Sequence, residues 1–490
     1  MFVWSSSYIY CMKKTRFFYE INYFLIVLLG WLLLFDKAVE VNRAWEKTGS
    51  AIRNGCALEI AGAGGIESGM TVGENQKVNE KQEGSTDQEV KKARNVNAAQ
   101  KTDGVQSAGS AETAENAGFP GTAESEAEAL PTQSGNIRVL LMDSGYQSYY
   151  HSSVTLNLNG ADYEYTPDSP ELSQGELILD GGEAGIIVTS IERQENPPVY
   201  YGTLEIQKTP QGLLLINELP LETYLEGVVP SEMPASYESQ ALMAQAVCAR
   251  TYAVCQMEEG SLRQEYGADV DDSVNFQVYG NIAPTDKTSQ AVKKTSGQIM
   301  CQDGSPITAY YFSTSSGKTS TDEIWGMNPS SYLKSVECEF DQNAPWSSWN
   351  VTIPWTILEE RTGNLTGSQV LESIQVVKKS ESGAVTGLQI TTEDGETQLE
   401  GEYEIREFLS PLAQTITEKD GSTVTGGSLL PSAYFQLKAD QGNCVEITGG
   451  GFGHGVGMSQ TAANEMAKEG YSWQEILEYF FRNVTLETWE

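Results

Sequence analysis

Positively charged side chains are scarce in this sequence. Its 490 residues include 31 lysines and arginines against 67 aspartates and glutamates, which gives a formal net charge of -36. A protein that holds nucleic acid through its phosphates needs a basic face, so this balance argues strongly against nucleic acid as a partner. Hydrophobic residues make up 39% of the chain, which is enough for real cores in two or three domains.

Histidine is nearly absent, and cysteine follows no recognisable spacing. The two histidines are His151 and His454, and we interpret His151 as an ordinary surface residue in a loop. The seven cysteines form an odd set without tight spacing, which argues against a disulfide framework. Those in the part of the chain with folding signals are expected to be buried free thiols, and they are Cys248, Cys255, Cys301, Cys338 and Cys444.

Residues 1–47 carry a targeting pattern. Lys13 and Lys14 precede an apolar run from Tyr23 to Phe35, the order found in a signal peptide or a single membrane anchor. We predict an uncleaved signal-anchor with a short cytoplasmic tail, and a cleaved signal is the alternative. The expected location is therefore the cell membrane, single-pass with the rest of the chain outside the cytoplasm, or else the secreted fraction.

Residues 48–135 differ sharply in composition from the remainder of the chain. They are rich in Gly, Ala, Ser, Thr, Asn, Gln and Glu and lack the apolar period of a helix or a strand. Such a sequence cannot bury enough apolar surface to offset its ordering entropy. We therefore predict a disordered, low-complexity linker between the membrane and an ordered module at 136–490.

Glu232 has an unusually stiff mount in the sequence. It lies between Pro230 and Pro234, and each proline fixes its own φ and disfavours α-helical backbone at the residue before it. The pattern predicts a short helix that stops at Gly227, followed by a tight segment that holds Glu232. A carboxylate with so few backbone alternatives is a candidate acid.

A long helix is predicted from about Glu238 to Met257. Alanine recurs along it, so neighbouring elements can approach it closely on several sides, and we interpret it as a buried central helix. Glu232 would then lie near the N-terminus of this helix. Burial would raise the pKa of its carboxyl group and the helix dipole would lower it, so the sequence leaves the net direction open.

The same region resembles a known family. The segments that look like the signature of the stage II sporulation protein D (SpoIID/LytB) family are Leu219–Leu225, Gly227–Pro234, Gln245–Val247 and Ala249–Ala253. The resemblance covers roughly residues 200–486. Family members of known activity are lytic transglycosylases of peptidoglycan, which implies that Glu232 is the catalytic residue and that Ser231 beside it binds substrate.

A second motif runs from Ala309 to Thr319, as a strand that enters a Ser/Gly loop. Relatives often have a histidine where this chain has Phe312. Hydroxyls and backbone amides in such a loop, with Trp325 to stack on a sugar ring, would suit glycan binding, and a β-turn with a core tryptophan is the alternative. The loop residues expected to bind substrate are Ser313, Ser315, Ser316 and Gly317.

The third motif, from Gly449 to Gln460, matches the Gly-His-Gly-Val-Gly-Met-Ser-Gln pattern of the family without a break. Alternating glycines let backbone approach a ligand closely, and Ser459 can cap the helix after it. The absence of a Lys-Ser/Thr pair argues against a phosphate-binding loop. We predict that His454 and Gln460 bind substrate, with a buried structural role for His454 as the alternative.

We predict no metal site and no cofactor. Some relatives bind zinc through a Cys/His cluster in the loop that here spans Gln264 to Gly280, and this chain has neither residue type there. Neutral imidazole and thiolate are the ligands that zinc prefers. Asp269, Asp271 and Asp272 could touch a hard cation, but we interpret them as solvated loop residues.

The predicted fold class is α+β, arranged around the central buried helix. Short β-like runs separated by Gly, Pro and Asp turns open the ordered module, a hairpin follows Ser382, and a capping box at Ser472 begins a late helix. The expected parts are a β-rich lobe (136–215), a catalytic core (216–348), an inserted α+β unit (349–440), and the Gly-His-Gly motif with C-terminal helices (441–490).

The chemistry of a lytic transglycosylase needs only one carboxyl group. Hydrolysis of a glycosidic bond normally uses two. In the transglycosylase reaction the C6 hydroxyl of N-acetylmuramic acid attacks the anomeric carbon, so one glutamate can protonate the leaving oxygen and then accept the hydroxyl proton. The resemblance implies this reaction on peptidoglycan glycan strands stripped of peptides by a partner amidase, in spore engulfment.

Two other functions stay open at this point. The LytB-type branch of the family suggests a non-catalytic cell-wall binding or amidase-enhancing module, and the missing histidine of the second motif favours it. A glycoside hydrolase that pairs Glu232 with Asp322 or Asp272 is the third possibility.

Overall fold

The computed structural model describes residues 135–194, 197–368 and 370–489. The predicted signal-anchor at 1–47 and all but the last residue of the predicted linker lie outside these ranges. Within them, no helix combines the length and the apolar character needed to cross a membrane.

Helices and strands are mixed along the described chain, so the fold class is α+β as predicted. The α-helices in this part of the chain are α1 (Leu221–Glu232), α2 (Ser239–Glu259), α3 (Arg263–Tyr266), α4 (Asp286–Lys294), α5 (Trp355–Thr366), α6 (Glu402–Phe408), α7 (Gln460–Lys468) and α8 (Trp473–Phe480). Short 3₁₀ helices occur at Pro170–Leu172, Asp322–Trp325, Glu339–Asn343 and Pro345–Ser347.

The β-rich lobe contains two sheets over a shared core. Its strands are β1 (Asn136–Leu141), β2 (Val154–Leu158), β3 (Ala161–Tyr165), β4 (Glu176–Asp180), β5 (Ile186–Val188), β6 (Val199–Tyr200), β7 (Thr203–Thr209) and β8 (Gly212–Pro220). One sheet has the order β4-β7-β8-β1, extended by β9 (Val270–Asp271), and the other has the order β3-β2-β5-β6. Apolar side chains of both sheets join those of α2 in one buried cluster.

Helix α2 is the buried central helix that the sequence predicts. Every residue from Ala241 to Gln256 is buried, and α2 packs against α1, α4, α7, α8 and strand β10 (Gln298–Gln302). The recurring alanines permit this because a methyl side chain lets neighbouring backbone approach on all sides. Gly260, at φ +64°, ends the helix in the left-handed conformation.

The prediction that α1 stops at Gly227 is wrong, because the helix continues to Glu232 with Pro230 inside it. Gly227 serves close packing instead, since a Cβ at this position would lie 2.5 Å from a ring carbon of Tyr279. A proline in the last turn removes one helical hydrogen bond, and the Ser231 hydroxyl donates to the Gly227 carbonyl at 2.7 Å. Met233, extended ahead of a proline as expected, ends the helix.

Two short strands, β11 (Ser305–Pro306) and β12 (Tyr311–Phe312), follow β10 in the chain.

The inserted unit, defined here as Trp349–Gly449, has its own strands and its own core. Its own strands are β13 (Trp349–Pro354), β14 (Leu371–Lys379), β15 (Val385–Thr392), β16 (Gly395–Glu400), β17 (Thr415–Glu418), β18 (Thr423–Thr425), β19 (Phe435–Asp440) and β20 (Cys444–Gly449). They form sheets of order β18-β17-β13-β20-β19 and β14-β15-β16 around a separate apolar cluster.

The two ends of the inserted unit are neighbours. Strands β13 and β20 pair antiparallel, with Trp349 opposite Gly449. A Cβ at Gly449 would lie 2.3 Å from the Trp349 ring, so glycine is required where the indole crosses the strand. Because β20 is part of this sheet, the unit extends past the boundary at residue 440 that the sequence suggests.

The closing segment returns to the central helix. Strand β21 (Met458–Ser459) pairs parallel with β12, and β22 (Thr485–Thr488) pairs with β10. Both predicted helix starts are confirmed: Ser459 accepts a hydrogen bond from the Ala462 N–H at the start of α7, and Ser472 and Glu475 form the capping box of α8.

Expectations for the rare residue types are met only in part. His151 is not a surface residue: it is buried, and its Nε2 lies 2.9 Å from the Leu141 carbonyl oxygen beside the β1–β8 pair. The backbone of His151 forms an isolated β-bridge with Leu213, which holds this residue against strand β8. The cysteines of the described residues are unbridged and buried, except Cys444, which is half-buried on the inserted unit.

Candidate active site

A pocket of about 540 Å³ opens where the end of α1 meets the second and third motifs. Its lining residues come from these three regions, from α2, from the loop at 274–278 and from Trp325, and they are Glu232, Pro234, Tyr237, Tyr252, Val274, Asn275, Phe276, Val278, Tyr310, Tyr311, Phe312, Ser313, Trp325, Phe452, Gly453, His454 and Gln460. Four of the predicted site residues are among them, namely Glu232, Ser313, His454 and Gln460. The others, Ser231, Ser315, Ser316 and Gly317, are not part of this wall.

Glu232 is half-buried in the wall of the pocket, and burial raises the pKa of its carboxyl group to about 7. Hydrogen bonds from the Val278 N–H, 2.7 Å from Oε1, and from the Tyr311 hydroxyl oppose this by stabilising the charged form. The expected lowering by a helix dipole assumed that Glu232 lies at the N-terminus of α2. Glu232 is instead the last residue of α1, and the negative end of a helix dipole also disfavours a carboxylate.

A line of polar side chains fixes the Tyr311 hydroxyl. Gln277 Nε2 donates to this hydroxyl oxygen at 3.1 Å, and Gln277 Oε1 accepts from the Tyr224 hydroxyl at 3.3 Å. Since the Tyr311 oxygen is already an acceptor, its proton is free for Glu232. Sequence reasoning assigned no role to Tyr311 or Gln277, although both lie in segments that resemble the family.

Gln460 supports the backbone of Glu232. Its Nε2 donates to the Glu232 carbonyl oxygen at 3.0 Å and to Gln245 Oε1 at 3.3 Å. The carbonyl of a C-terminal helix residue has no partner within the helix, so the start of α7 supplies one. Gln460 thus holds the acid in position and also reaches the pocket surface.

His454 lies in the wall as a neutral imidazole. Its Nδ1 accepts a hydrogen bond from the Val456 N–H at 3.1 Å, which assigns the ring proton to Nε2, where the Tyr311 carbonyl accepts it. Burial lowers the pKa of His454 to about 4. With both nitrogens engaged, its ring contributes a face to the pocket, packed 5.3 Å from the centroid of Trp325.

The glycines of the third motif allow close backbone contact with the second. Gly457, at φ +81°, passes so near the Tyr310 carbonyl that an added Cβ would lie 2.0 Å from its oxygen. Gly455, at φ +84°, is packed just as tightly on the Tyr434 ring. Only glycine combines this conformation with this contact, so these positions build the pocket wall.

Asp341, a residue outside the three motifs, fixes the position of the Ser/Gly loop. Asp341 is fully buried, and its carboxylate accepts from the Ser315 N–H at 3.0 Å and from the Ser459 hydroxyl at 3.1 Å. It therefore links the second motif to the third. The Ser315 hydroxyl accepts from the Gly317 N–H at 3.2 Å, so it shapes the loop.

Ser231 also acts within the protein. Its hydroxyl donates to the Gly227 carbonyl and accepts from the Gly280 N–H at 3.1 Å. Trp325, by contrast, is half-buried and lines the pocket beside Phe312, which stands where relatives have a histidine. The Trp325 ring therefore has accessible surface on which a sugar ring could stack.

The three aspartates of the loop between α3 and the second motif are not solvated. Asp269, Asp271 and Asp272 are all fully buried. Asp269 pairs with Arg263, and Asp272 pairs with Arg193 at 2.5 Å. Burial of these side chains requires such partners.

The same loop does not suit a metal ion. The carboxylate of Asp271 accepts from the Tyr149 hydroxyl and the Ser273 N–H, both at 2.8 Å. Its lone pairs, like those of its neighbours, are directed at protein donors. In the described ranges no group of three or more His, Cys, Asp or Glu side chains is placed to hold a metal ion. The residues present therefore fit neither zinc nor a hard cation.

No second carboxylate faces Glu232 across the pocket among the described residues. Asp322, one candidate partner, is buried and accepts from the Ser330 N–H at 3.0 Å. Asp272, the other, is held by Arg193 and by the Met142 N–H. Both are committed elsewhere in the fold.

The pKa of Glu232 can be measured directly. In a ¹³C-NMR titration of the glutamate carboxyl groups, we expect Glu232 to titrate near pH 7 while ordinary glutamates titrate near 4.5. Tyr311→Phe removes a donor to the charged form, so it should raise the midpoint further. A Glu232 midpoint near 4.5, or a downward shift in the variant, would contradict the electrostatic role given to burial and to Tyr311.

Comparisons with known proteins identify the family that the segment around Glu232 resembles. Residues 209–301 match the family described as "Stage II sporulation protein", and residues 349–457 match "Domain of unknown function (DUF8618)". Stage II sporulation protein D of Bacillus subtilis (strain 168) is 34% identical over 287 residues, covering 55% of this chain and 75% of that protein. Its counterpart in Bacillus amyloliquefaciens is 33% identical over 290 residues, with the same shares of 55% and 75%.

A third relative carries a different name. The "Amidase enhancer" of Bacillus subtilis (strain 168) is 29% identical over 298 residues, which cover 54% of this chain and 40% of that protein. The similarity therefore includes a protein named for its effect on another enzyme.

Proposed function

Since this chain belongs to the stage II sporulation protein D family, we propose that it is an exported peptidoglycan lytic transglycosylase that cleaves glycan strands to 1,6-anhydromuramic ends in spore engulfment. The observation that carries the proposal is a single carboxyl group in the pocket, Glu232, with a pKa raised to about 7. A group with this pKa is available in both protonation states near neutral pH. A two-carboxylate hydrolase would need a second acid or base that the described pocket wall does not provide.

The reaction uses Glu232 twice. Its protonated carboxyl group gives the proton to the glycosidic oxygen as the bond from the anomeric carbon to that oxygen breaks. The resulting carboxylate accepts the proton of the C6 hydroxyl as the C6 oxygen bonds to the anomeric carbon. No water is consumed, and the acid returns to its starting state.

The surroundings of Glu232 suit both steps. The Val278 N–H and the Tyr311 hydroxyl stabilise the carboxylate that the first step creates. Trp325, Phe452 and Tyr237 supply aromatic faces for sugar rings around the acid. The described wall of the pocket has no charged group besides Glu232, so aromatic and neutral polar side chains would make the other contacts to the sugars there.

We also propose the setting of this activity. The N-terminal signal-anchor would place the module outside the cytoplasm, tethered to the membrane through the linker. The substrate would be strands whose stem peptides a cell-wall amidase has already removed. The similarity to an amidase enhancer supports an amidase as a functional partner.

Product analysis in isotopically labelled water tests the reaction. The full-length chain is incubated with peptide-free glycan strands in H₂¹⁸O, and the ends are identified by mass spectrometry. We expect anhydromuramic ends, lighter than hydrolysis products by one water and free of ¹⁸O. An increase in the number of reducing ends over a control without the chain would instead establish a hydrolase.

The second candidate function is a non-catalytic wall-binding or amidase-enhancing module, which the relative named amidase enhancer favours. Under this alternative, the strands stay intact in the same incubation. Added amidase would then release stem peptides faster in the presence of the chain, and Glu232→Gln would leave that stimulation unchanged.

A further inference from the structure

A loop beside the active site supplies the hydrogen-bond donors that face Glu232. We call residues 271–280 the support loop. Its residues that contact Glu232 or helix α1 are Gln277, Val278, Tyr279 and Gly280. The Val278 nitrogen lies 2.7 Å from Glu232 Oε1, and Gln277 fixes the hydroxyl of Tyr311, the second donor. The electrostatic environment of the acid therefore depends on how the support loop is held.

Two anchors fix the ends of the support loop. At one end, Asp272 pairs with Arg193 at 2.5 Å, and both side chains are fully buried. The Tyr279 N–H donates to the Asp272 carbonyl at 3.2 Å. At the other end, the Gln194 N–H donates to the Gly280 carbonyl at 3.0 Å. The part of the loop between these anchors still needs support of its own.

Asp271 supports that intervening part. Its side chain is fully buried. Its Oδ1 accepts hydrogen bonds from the N–H and the hydroxyl of Ser273, both at 2.8 Å. Its Oδ2 accepts from the Tyr149 hydroxyl at 2.8 Å and from Asn275 Nδ2 at 3.3 Å. Because Tyr149 belongs to the β-rich lobe, Asp271 joins the middle of the support loop to that lobe.

The donors around Asp271 are uncharged, so its burial is not explained by an ion pair. A buried carboxylate is costly to desolvate, and an apolar side chain would fill the same space without that cost. The carboxylate adds orientation instead. Its hydrogen bonds to Ser273 and Asn275 fix the chain immediately ahead of Gln277 and Val278.

We infer that Asp271 is a positioning residue for Glu232: it orders the support loop so that Gln277 and Val278 keep both donors directed at the acid. The inference rests on the proposed function, because the acid that it serves is the one that would cleave the strand. This support is made by protein donors around side chains that suit no metal ion, so it should not depend on a bound metal.

Two variants of Asp271, titrated in the full-length chain, test the inference. Asp271→Ala removes the acceptor, and Asp271→Asn keeps one acceptor oxygen in the same space. In the ¹³C-NMR titration we expect Asp271→Ala to raise the Glu232 midpoint by about half a unit or more, because the Val278 N–H is no longer held at the carboxylate. Asp271→Asn should give a smaller upward shift, and it carries the test alone if the alanine variant does not fold. Strand cleavage by Asp271→Ala should slow about tenfold.

Asp269→Ala is the matched control. Asp269 is equally buried and lies two residues earlier in the chain. Its carboxylate binds Arg263 at 2.5 Å and the Arg138 N–H at 3.0 Å, and both partners lie outside the support loop. This variant should unfold at a lower urea concentration, while the Glu232 midpoint stays near pH 7 and the cleavage rate stays within about twofold.

The midpoint reports on the acid itself. Tyr224 and Tyr311 are near enough to Glu232 to interact with it electrostatically, and burial raises the pKa of both hydroxyls well above the usual value. Burial lowers the pKa of His454, in the same pocket, to about 4. None of these groups changes charge near pH 7, so a shift of the midpoint reflects the hydrogen bonds of Glu232.

A third arm examines metal dependence. The unaltered full-length chain is incubated with EDTA, and the Glu232 midpoint and the cleavage rate are measured again. We expect both to be unchanged, because the support loop is held by protein groups. A midpoint that moves with EDTA and returns when zinc is added would contradict the inference.

The inference is also overturned if the folded Asp271 variants leave the Glu232 midpoint near pH 7 or lower it, or if Asp269→Ala raises it by as much. These outcomes are separate from the fate of the proposed function. The titration reads the acid whether or not strands are cleaved, and a hydrolase or an inactive chain would be recognised by its products without reference to Asp271.

Discussion

Glu232→Gln is expected to abolish strand cleavage, with a loss of about 10³-fold or more in the rate at which anhydromuramic ends appear. Glutamine keeps the shape of the side chain and can still accept the Val278 N–H through its amide oxygen. It cannot give a proton to the glycosidic oxygen or take one from the C6 hydroxyl. Both steps of the proposed reaction therefore fail together, while binding of the strand remains.

The control for this variant is Glu226→Gln. Glu226 lies on the same helix and is half-buried, and burial raises the pKa of its carboxyl group, but it faces a separate small pocket. Its substitution should leave the rate within about twofold of the unaltered chain, as for most changes outside a catalytic site. Full activity in Glu232→Gln, or equal losses in the two variants, would remove Glu232 from the mechanism.

Glu232→Gln also has a predictable effect on the stability of the fold. The folded pKa of Glu232, about 7, lies above its ordinary value of 4.5, so the proton is bound more tightly in the folded state. The tighter binding of this proton contributes to the free energy of unfolding, and the contribution is complete below pH 4.5 and is lost as the pH rises towards 7. Glu232→Gln should thus unfold like the unaltered chain in acid, and at a higher denaturant concentration above pH 7.

Of the substitutions discussed here, Arg250→Met is expected to cause the largest loss of stability, about 3 kcal/mol in the free energy of unfolding. The Arg250 side chain is fully buried in α2 and binds both carboxylate oxygens of Glu222 on α1, at 2.7 and 2.8 Å. It also lies within 3.5 Å of the Ala246, Val292 and Gln298 carbonyl oxygens. Methionine fills the space but leaves the partly buried Glu222 carboxylate without its cationic partner, while the Gly297 N–H still donates to it.

Urea unfolding followed by circular dichroism measures this loss. Lys468→Met is the control, because its ion pair with Glu465 is exposed on both sides and contributes little. Arg250→Met combined with Glu222→Leu should recover part of the loss, since two apolar residues leave no charge unpaired. An unchanged midpoint in Arg250→Met would mean that the pair does not hold α1 against α2.

Several parts of this structure can be predicted from local sequence signals. The alanines between Ala241 and Ala253 identify the central helix, and Ser459 and Ser472 identify two helix starts, because side-chain size and capping act over a few residues. The extent of α1 cannot be predicted in this way. Gly227 is a strong stop signal locally, but its meaning depends on Tyr279, a distant residue that packs against it.

The site is predictable to the same degree. Glu232, Ser313, His454 and Gln460 lie in motifs that can be recognised, and all reach the pocket. Asp341 acts through a hydrogen bond to a residue far away in the chain, so no local pattern marks it, and the role of Gln277 depends in the same way on its contact with Tyr311. The interpretation of the aspartates at 269–272 as solvated is wrong for the same reason, since their partners Arg263 and Arg193 become visible only in the fold.

The pairing of β12 with β21 has a consequence for when activity appears. Phe312 lies opposite Ser459, and the next residue, Gln460, holds the Glu232 carbonyl from 228 positions further along the chain. A polypeptide made from its amino end therefore carries the acid on an unfinished support until α7 has been synthesised. The nascent chain would therefore acquire a complete pocket wall only after most of it has been translated.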